Sequence, residues 1–309
     1  MKLEVIKAKA LTWYNITAMD HDGIHYLREN FDFHDLDIED VLSKNQRSKM
    51  DYYDEYIFLV LHFPIFNQFS ERIEIVELNM FVGKDYVVTI HDNRLKTLKD
   101  LYEECSDDDN NEKEEIMSSA GRLLYEILNT TYQSSFPLID RVGWEITEIE
   151  RELFEEGDTD DIKDRLKDIM LVKRNIMRFR RIIQPARVVV MQLENKKLKF
   201  ISTHYDIYFD DILDTIEKTW ETLESYKEIV NTLHETNEAL INHRTNNIMK
   251  ILTVFSVILL PITFITGLYG MNLRRLPLDQ SPYGFEFILL GMFVLVLIML
   301  WYFSKKRWL

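Results

Sequence analysis

Two stretches near the C-terminus constrain this chain more than anything else in it. From Ile251 to Leu273 no residue is charged, and most positions are Ile, Leu, Val, Phe or Thr; a second charge-free run extends from Phe287 to Ser304. Roughly 20 apolar residues in a helix cross the hydrocarbon core of a bilayer, so both runs are long enough. The link between them, Arg274 to Glu286, is short and carries Pro277, Pro282 and Gly284. The pair therefore reads as a helical hairpin with both chain ends on one side of a membrane. Arg244 and Lys250 precede the first span, and Lys305, Lys306 and Arg307 follow the second. By the positive-inside rule that side is the cytoplasm. Arg274 and Arg275 in the outer loop weaken the bias without reversing it. Trp301, Tyr302 and Trp308 suit an interfacial aromatic belt at the inner end.

Charge divides the chain at the same place. From Arg244 onward there are seven Lys/Arg and two acids, a net of +5, so the preceding body carries −20 of the total −15. A body this acidic repels phosphates, which argues against nucleic acid as a partner, and suits cations. Acidity also serves plain solubility. Cys105 is the lone cysteine, so no intrachain disulfide exists and a reducing compartment fits. The N-terminus alternates apolar and polar residues and lacks the apolar core of a secretory signal, which places the expected body in the cytosol.

The first part of the body, 1–135, reads as an α/β cytosolic domain. Leu3–Ala8 and Leu11–Ala18 alternate like strands, Tyr56–Phe63 is a continuous apolar run, and Ile73–Val82 and Tyr86–Ile90 flank Gly83-Lys84-Asp85 as a hairpin. Ser106–Glu115 (SDDDNNEKEE) reads as a solvated, mobile acidic loop. Over 136–204 the pattern turns helical. Leu138–Glu155 and Asp160–Ile183, separated by Gly157-Asp158, predict an antiparallel helix pair that ends before Pro185.

Between Pro185 and Pro261 there is neither Gly nor Pro, and Ile212, Ile216, Trp220, Leu223, Tyr226, Val230, Leu233, Asn237 and Leu240 step by threes and fours. One stalk helix is expected over 205–268, continuing into the first span. At about 1.5 Å per residue it is on the order of 95 Å long, too long for its own domain to support. Identical copies around an axis supply the missing neighbours. The expected outer loop then covers 269–286, the second span 287–304 and a basic tail 305–309.

Two spans cannot enclose a water path alone, so a pore requires several copies. Asn246, Met249, Leu252, Ser256, Leu260, Thr263, Gly267 and Gly270 share one face at a near-heptad spacing, which stays on one side of a left-handed bundle. The stripe mixes amide, hydroxyl, thioether and Leu without charge. That suits passage of a hydrated ion, with apolar rings as constrictions. Ordinary helix–helix packing uses similar small and hydroxyl residues, and spacing alone leaves both readings open. Enzyme signatures are missing: there is no GxxxxGK[ST] loop and no GxGxxG, and His234-Glu235 fails as HExxH because position 238 is Glu.

At the outer end of the first span stands Tyr269-Gly270-Met271-Asn272, preceded by Pro-Ile-Thr-Phe-Ile-Thr-Gly over Pro261–Gly267. A Gly-Met-Asn triplet between two C-terminal spans resembles the CorA family of Mg2+ transporters. The resemblance covers nearly the whole chain. It extends to Thr245–Lys250, to Val172-Lys173-Arg174-Asn175 through Pro185, to Tyr53–Phe58, to Leu36–Leu42 and to the final Lys305–Leu309. It implies a funnel-shaped homopentamer with an α+β cytosolic domain, a stalk helix that becomes the pore-lining span, and an outer helix around it. Gly270, Met271 and Asn272 would form a selective mouth. Mg2+ gives up its waters reluctantly, so neutral carbonyls that grip the hydrated ion are a sensible choice. Gly270 is expected to free the backbone to turn carbonyls inward, and Met271 to pack behind the loop. By the same resemblance Asn246, Met249, Leu252, Leu260 and Thr263 are pore-lining, Leu260 standing where Met is expected.

The resemblance also implies cytosolic Mg2+ bound between neighbouring subunits, with Glu39 and Asp40 of one chain and Asp211 of the stalk as ligands, so that Mg2+ is both cargo and regulator. Asp206, Asp210 and Asp214 flank Asp211 at helical spacing, a like-charge stripe that a cation would relieve. The expected partners are divalent cations, identical subunits and the bilayer of the cell membrane. One departure stands out: the outer loop reads Leu273-Arg274-Arg275-Leu276-Pro277-Leu278-Asp279, whereas the family's Mg2+ transporters commonly carry an acidic segment there. The alternatives are transport of Co2+, Ni2+ or Zn2+ on the same fold, or a membrane-tethered coiled-coil sensor. The zinc-transporting ZntB branch lacks the Met of the triplet, so Met271 favours Mg2+.

Overall fold

A computed structural model describes residues 1–43, 46–107, 111–154, 161–196, 206–271, 277–278, 282–306 and 308. The chain divides into two compact units, Met1–His234 and Glu235–Leu309.

The first unit is built on a six-stranded sheet of order β1-β2-β6-β5-β4-β3. Its strands are β1 (Lys2–Lys7), β2 (Thr12–Thr17), β3 (Lys49–Tyr52), β4 (Tyr56–Asn67), β5 (Arg72–Gly83) and β6 (Tyr86–His91). All neighbours are antiparallel except β2 and β6, which pair in parallel with Asn15 opposite Thr89 and Thr17 opposite His91. The sheet separates two cores. Ile57, Leu59, Leu61 and Phe63 of β4 enter one cluster and Tyr56, Phe58 and Val60 the other, because successive strand side chains point to opposite faces.

The smaller core is covered by α1 (His21–Asn30) and α2 (Asp35–Leu42), through Leu27, Ile38 and Val41. The larger is covered by α3 (Lys96–Ser106), α4 (Asn111–Ile116), α5 (Ala120–Gln133), α6 (Phe136–Phe154), α7 (Asp161–Asn195) and the start of α8 (Asp206–Tyr269). The seam between α7 and α8 adds a bond from Arg187 Nη2 to Glu217 Oε1 (2.7 Å) and the Arg180 guanidinium over the Trp220 ring (4.6 Å). Asn175 of α7, fully buried, clamps the β4–β5 turn: its Oδ1 accepts from Ile73 N (3.2 Å) and its Nδ2 donates to Glu71 O (3.0 Å).

Two expectations need correction. The acidic segment Ser106–Glu115 is no simple loop, since α4 forms from Asn111 and the adjoining Ile116 and Met117 are buried; residues 108–110 lie outside the described set. Pro185 does not end its helix but sits inside α7. Buried Ile182, Ile183, Ala186, Val189 and Val190 carry the apolar face through it, and burial of this run outweighs the one backbone hydrogen bond that Pro removes. The expected breaker Gly157-Asp158 lies outside the described residues.

In the second unit, α8 continues to Tyr269 and α9 spans Gly284–Lys305. Only 6% of the most apolar window of each helix is buried. Exposed Leu, Ile, Phe and Val crowd both helices, including Leu260 (70%), Phe264 (66%) and Phe293 (61%). Such a surface exceeds by far the apolar patches that soluble proteins leave to water and suits a bilayer. At the end of α9, Phe303 stacks on Trp308 (5.9 Å) and the Lys305 ammonium lies 5.2 Å from the Trp301 ring, an amphipathic grouping typical of an interface.

Candidate functional site

Which way α8 faces is set by its apolar spacing. Between Val254 and Tyr269 the covered positions are Val254, Ile258, Pro261, Ile262, Ile265, Leu268 and Tyr269. At 3.6 residues per turn these share one face. On α9 the covered positions Gly284, Ile288, Met292, Leu295, Val296, Met299 and Phe303 likewise share a face. Among the described residues this unit contains no other helices, so those two faces cover each other.

The stripe singled out from the sequence lies about half a turn away on α8. Asn246, Met249, Leu252, Ser256, Leu260, Thr263, Gly267 and Gly270 are all exposed within one chain. Ser256 Oγ donates to Leu252 O (2.9 Å) and Thr263 Oγ1 to Leu259 O (2.9 Å). With its proton committed to the backbone, each hydroxyl offers its oxygen as an acceptor, the polarity that a cation or its water shell requires. A Cβ placed on Gly267 would meet nothing, so this glycine leaves open space.

At the C-terminal end of α8, Gly270 N donates to Thr266 O (2.9 Å) in helical continuation, and no described glycine has a positive φ. Met271 is 55% exposed within one chain. The loop is tied back at its far side. Tyr269 Oη donates to Pro277 O (2.9 Å), Leu278 takes a φ of 67°, and its carbonyl presses against the place where a Cβ on Gly284 would stand. Asn272, residues 273–276, Asp279 and Arg307 lie outside the described residues.

The carboxylates expected to hold a regulatory metal fall into two places. Glu39 and Asp40 are on α2, whose Ile38 and Val41 enter the smaller core. Asp211 is on α8, whose Phe209 and Ile212 enter the larger one, and its charge acts on Tyr125 of α5. The sheet thus stands between them within a chain, and only two copies could bring Asp211 to Glu39 and Asp40. Glu39 and Asp211 are exposed, as are Asp210 and Asp214; the Asp206 side chain is outside the described set. All are oxygen donors, the chemistry that Mg2+ prefers.

Asp40 is less open than the sequence suggests. Its Oδ1 accepts from Gln46 Nε2 (2.6 Å) and its Oδ2 from Lys49 Nζ (2.6 Å). One turn earlier Asp37, missed from sequence, is buried; Tyr56 Oη (2.9 Å) and Tyr53 Oη (3.1 Å) donate to its carboxylate. Burial raises the Asp37 pKa despite both tyrosines. Each of Asp37, Asp40 and Asp51 places a carboxylate oxygen within 4.8 Å of the others. The alternation of β3, which sets Lys49 and Asp51 on one side of the strand, was the available signal.

Comparison with known proteins decides what this arrangement belongs to. The family described as "CorA-like Mg2+ transporter protein" matches residues 8–307. The chain belongs to that family. It is 28% identical over 300 residues to the cobalt/magnesium transport protein CorA of Thermotoga maritima, covering 96% of this chain and 83% of the relative. The zinc transport protein ZntB of Pectobacterium atrosepticum is 24% identical over 192 residues, covering 62% of this chain and 57% of the relative. Among solved structures, the CorA magnesium transporter of Methanocaldococcus jannaschii superimposes with a TM-score of 0.83 at 21% identity, covering 98% of this chain and 93% of that one. As a CorA-family member the chain is a divalent-cation transporter of the membrane and not an enzyme.

Proposed function

We propose that copies of this chain, five by family resemblance, assemble around an axis and let Mg2+ enter the cell along the stripe from Gly270 to Asn246. The observation that carries this reading is the division of α8 into two faces. One is covered by α9, and the opposite one, charge-free and dotted with neutral oxygens, is exposed in a single chain. Neighbouring copies of α8 would turn that face inward. Leu252 and Leu260 would act as apolar constrictions, with Asn246, Ser256 and Thr263 as polar rings. Gly270, Met271 and Asn272 would form the outer mouth, Asn272 holding the hydrated ion by its side-chain carbonyl. A carboxylate there would bind more tightly and release more slowly. Both termini lie in the cytoplasm, by the positive charges at the inner ends of the helices. No carboxylate or histidine stands within either span to relay protons, so flow follows the membrane potential.

Cytosolic Mg2+ bound between Glu39 and Asp40 of one subunit and Asp211 of the next would hold the assembly closed. Its loss would leave repelling carboxylates and open it. The likeness to ZntB favours a second reading, in which Zn2+ is the preferred ion; Arg274 and Arg275 near the mouth also disfavour a loosely held hydrated dication. Reconstitution in liposomes, with dyes for Mg2+ and for Zn2+ inside, separates the two. Mg2+ uptake that Asn272→Ala abolishes while the oligomer stays intact on a sizing column supports the proposal. Zn2+ uptake without Mg2+ uptake would move the assignment to zinc.

A further inference from the structure

Asp40, the cytosolic carboxylate proposed above to bind metal, already holds a cation. Lys49 projects from β3 with its ammonium 2.6 Å from Asp40 Oδ2, and it also bonds Asp51 Oδ2. The Lys49 side chain is 32% exposed and that of Asp40 23%, so solvent screens the pair only partly. An ammonium is the ordinary form of a lysine at neutral pH. With Asp37 close by, three carboxylates converge, and the ammonium stands among them where a small cation would otherwise be drawn.

We propose that Lys49 is a tethered competitor for the cytosolic divalent cation, so that metal gains Asp40 only by displacing the ammonium. The pair thereby raises the Mg2+ concentration at which the site fills. This rests on the reading of Asp40 as a metal ligand. Displacement is an exchange of one cation for another, and Asp51 receives the released ammonium, which keeps its charge paired throughout. Asp51 thus favours metal binding without touching the metal. The geometry assigns to Lys49 the setting of the regulatory threshold. A chain with a neutral residue there would respond to lower internal Mg2+.

The test uses the full-length protein in detergent and reads the rise of its thermal unfolding midpoint across an Mg2+ series, a binding readout independent of transport. Lys49→Gln is expected to lower the half-saturating Mg2+ concentration by about threefold or more, the equivalent of a partly screened ion pair. Lys49→Arg should return it towards wild type. Lys49→Gln should also lose stability in chelator and regain it with Mg2+, whereas a purely structural lysine would cost the same in both. Asp51→Asn, which leaves Lys49 with Asp40 alone, should raise the half-saturating concentration, and it supplies the test if Lys49→Gln does not fold. Asp40→Asn should abolish the Mg2+ response. A response retained in Asp40→Asn would overturn the metal assignment itself. A response lost there, with no downward shift in Lys49→Gln or no upward shift in Asp51→Asn, would overturn the competitor role alone.

Discussion

Lowering the pH should weaken the α/β domain through one histidine, and the size of the effect follows from its surroundings. His91 is 6% exposed at the end of β6. Its Nδ1 accepts from Asn93 N (3.0 Å), so the ring proton lies on Nε2, which faces Asn15 Oδ1 (3.0 Å). Thr89 Oγ1 donates to the same Asn15 oxygen (2.8 Å) and accepts from Trp13 Nε1 (2.9 Å). A second ring proton would point at the Asn93 N–H. Burial lowers the His91 pKa from 6.5 to about 4, although the nearby charges of Asp92 and Glu4 pull upward. The unfolded chain thus takes up a proton as pH falls through 6.5, while the folded chain waits until about 4. Stability is lost across that window. At about 1.4 kcal/mol per unit, the loss between about pH 7 and about pH 5 is about 2 kcal/mol. Chemical unfolding of the detergent-solubilised protein, followed by tryptophan fluorescence, measures it against His91→Gln, which cannot take up the proton. The stability gap between the two should close or invert by about 2 kcal/mol over that range. Parallel pH profiles would refute the account of a neutral, buried imidazole.

Two further outcomes follow from close contacts. Gly284→Ala would drive a Cβ into the Leu278 carbonyl, a backbone atom that cannot swing aside. It should displace the loop between α8 and α9 and impair ion uptake while leaving the unfolding transition of the α/β domain unchanged. Asn175→Ala would leave Ile73 N and Glu71 O without their side-chain partners. It should cost about 1–3 kcal/mol in chemical unfolding, and a change below about 0.5 kcal/mol would mean that the clamp is idle.

Local pattern carried much of this into view from sequence. The alternation of β1 and β2, the β5–β6 hairpin around Gly83-Lys84-Asp85, and the long run without Gly or Pro that became α8 are all short-range signals. The stripe on α8 was legible because helical spacing fixes a face once the helix is granted. What escaped depended on distant partners. The parallel pairing of β2 with β6 joins segments about seventy residues apart, and no period within either strand announces it. Helix α4 forms in an acidic segment because Ile116 and Met117 reach the core, a tertiary effect that overrides composition. Asp40 read as an open ligand because its partner Lys49 meets it only once β3 pairs with β4. Asn175 was visible as part of a family-like run, but its clamp on the β4–β5 turn required the packed α7.

The central claim is that the exposed stripe of α8 faces the ion. Cys105 is buried and its thiol pushed up to about 12, so the native cysteine gives a quiet background for introduced ones. The direct measurement is cation uptake into proteoliposomes by Thr263→Cys and Ile258→Cys, before and after a small, charged thiol reagent. The account predicts block of the Thr263→Cys protein and little effect on Ile258→Cys, whose side chain faces α9. Block at position 258 with free passage at 263 would contradict it and turn the helix the other way.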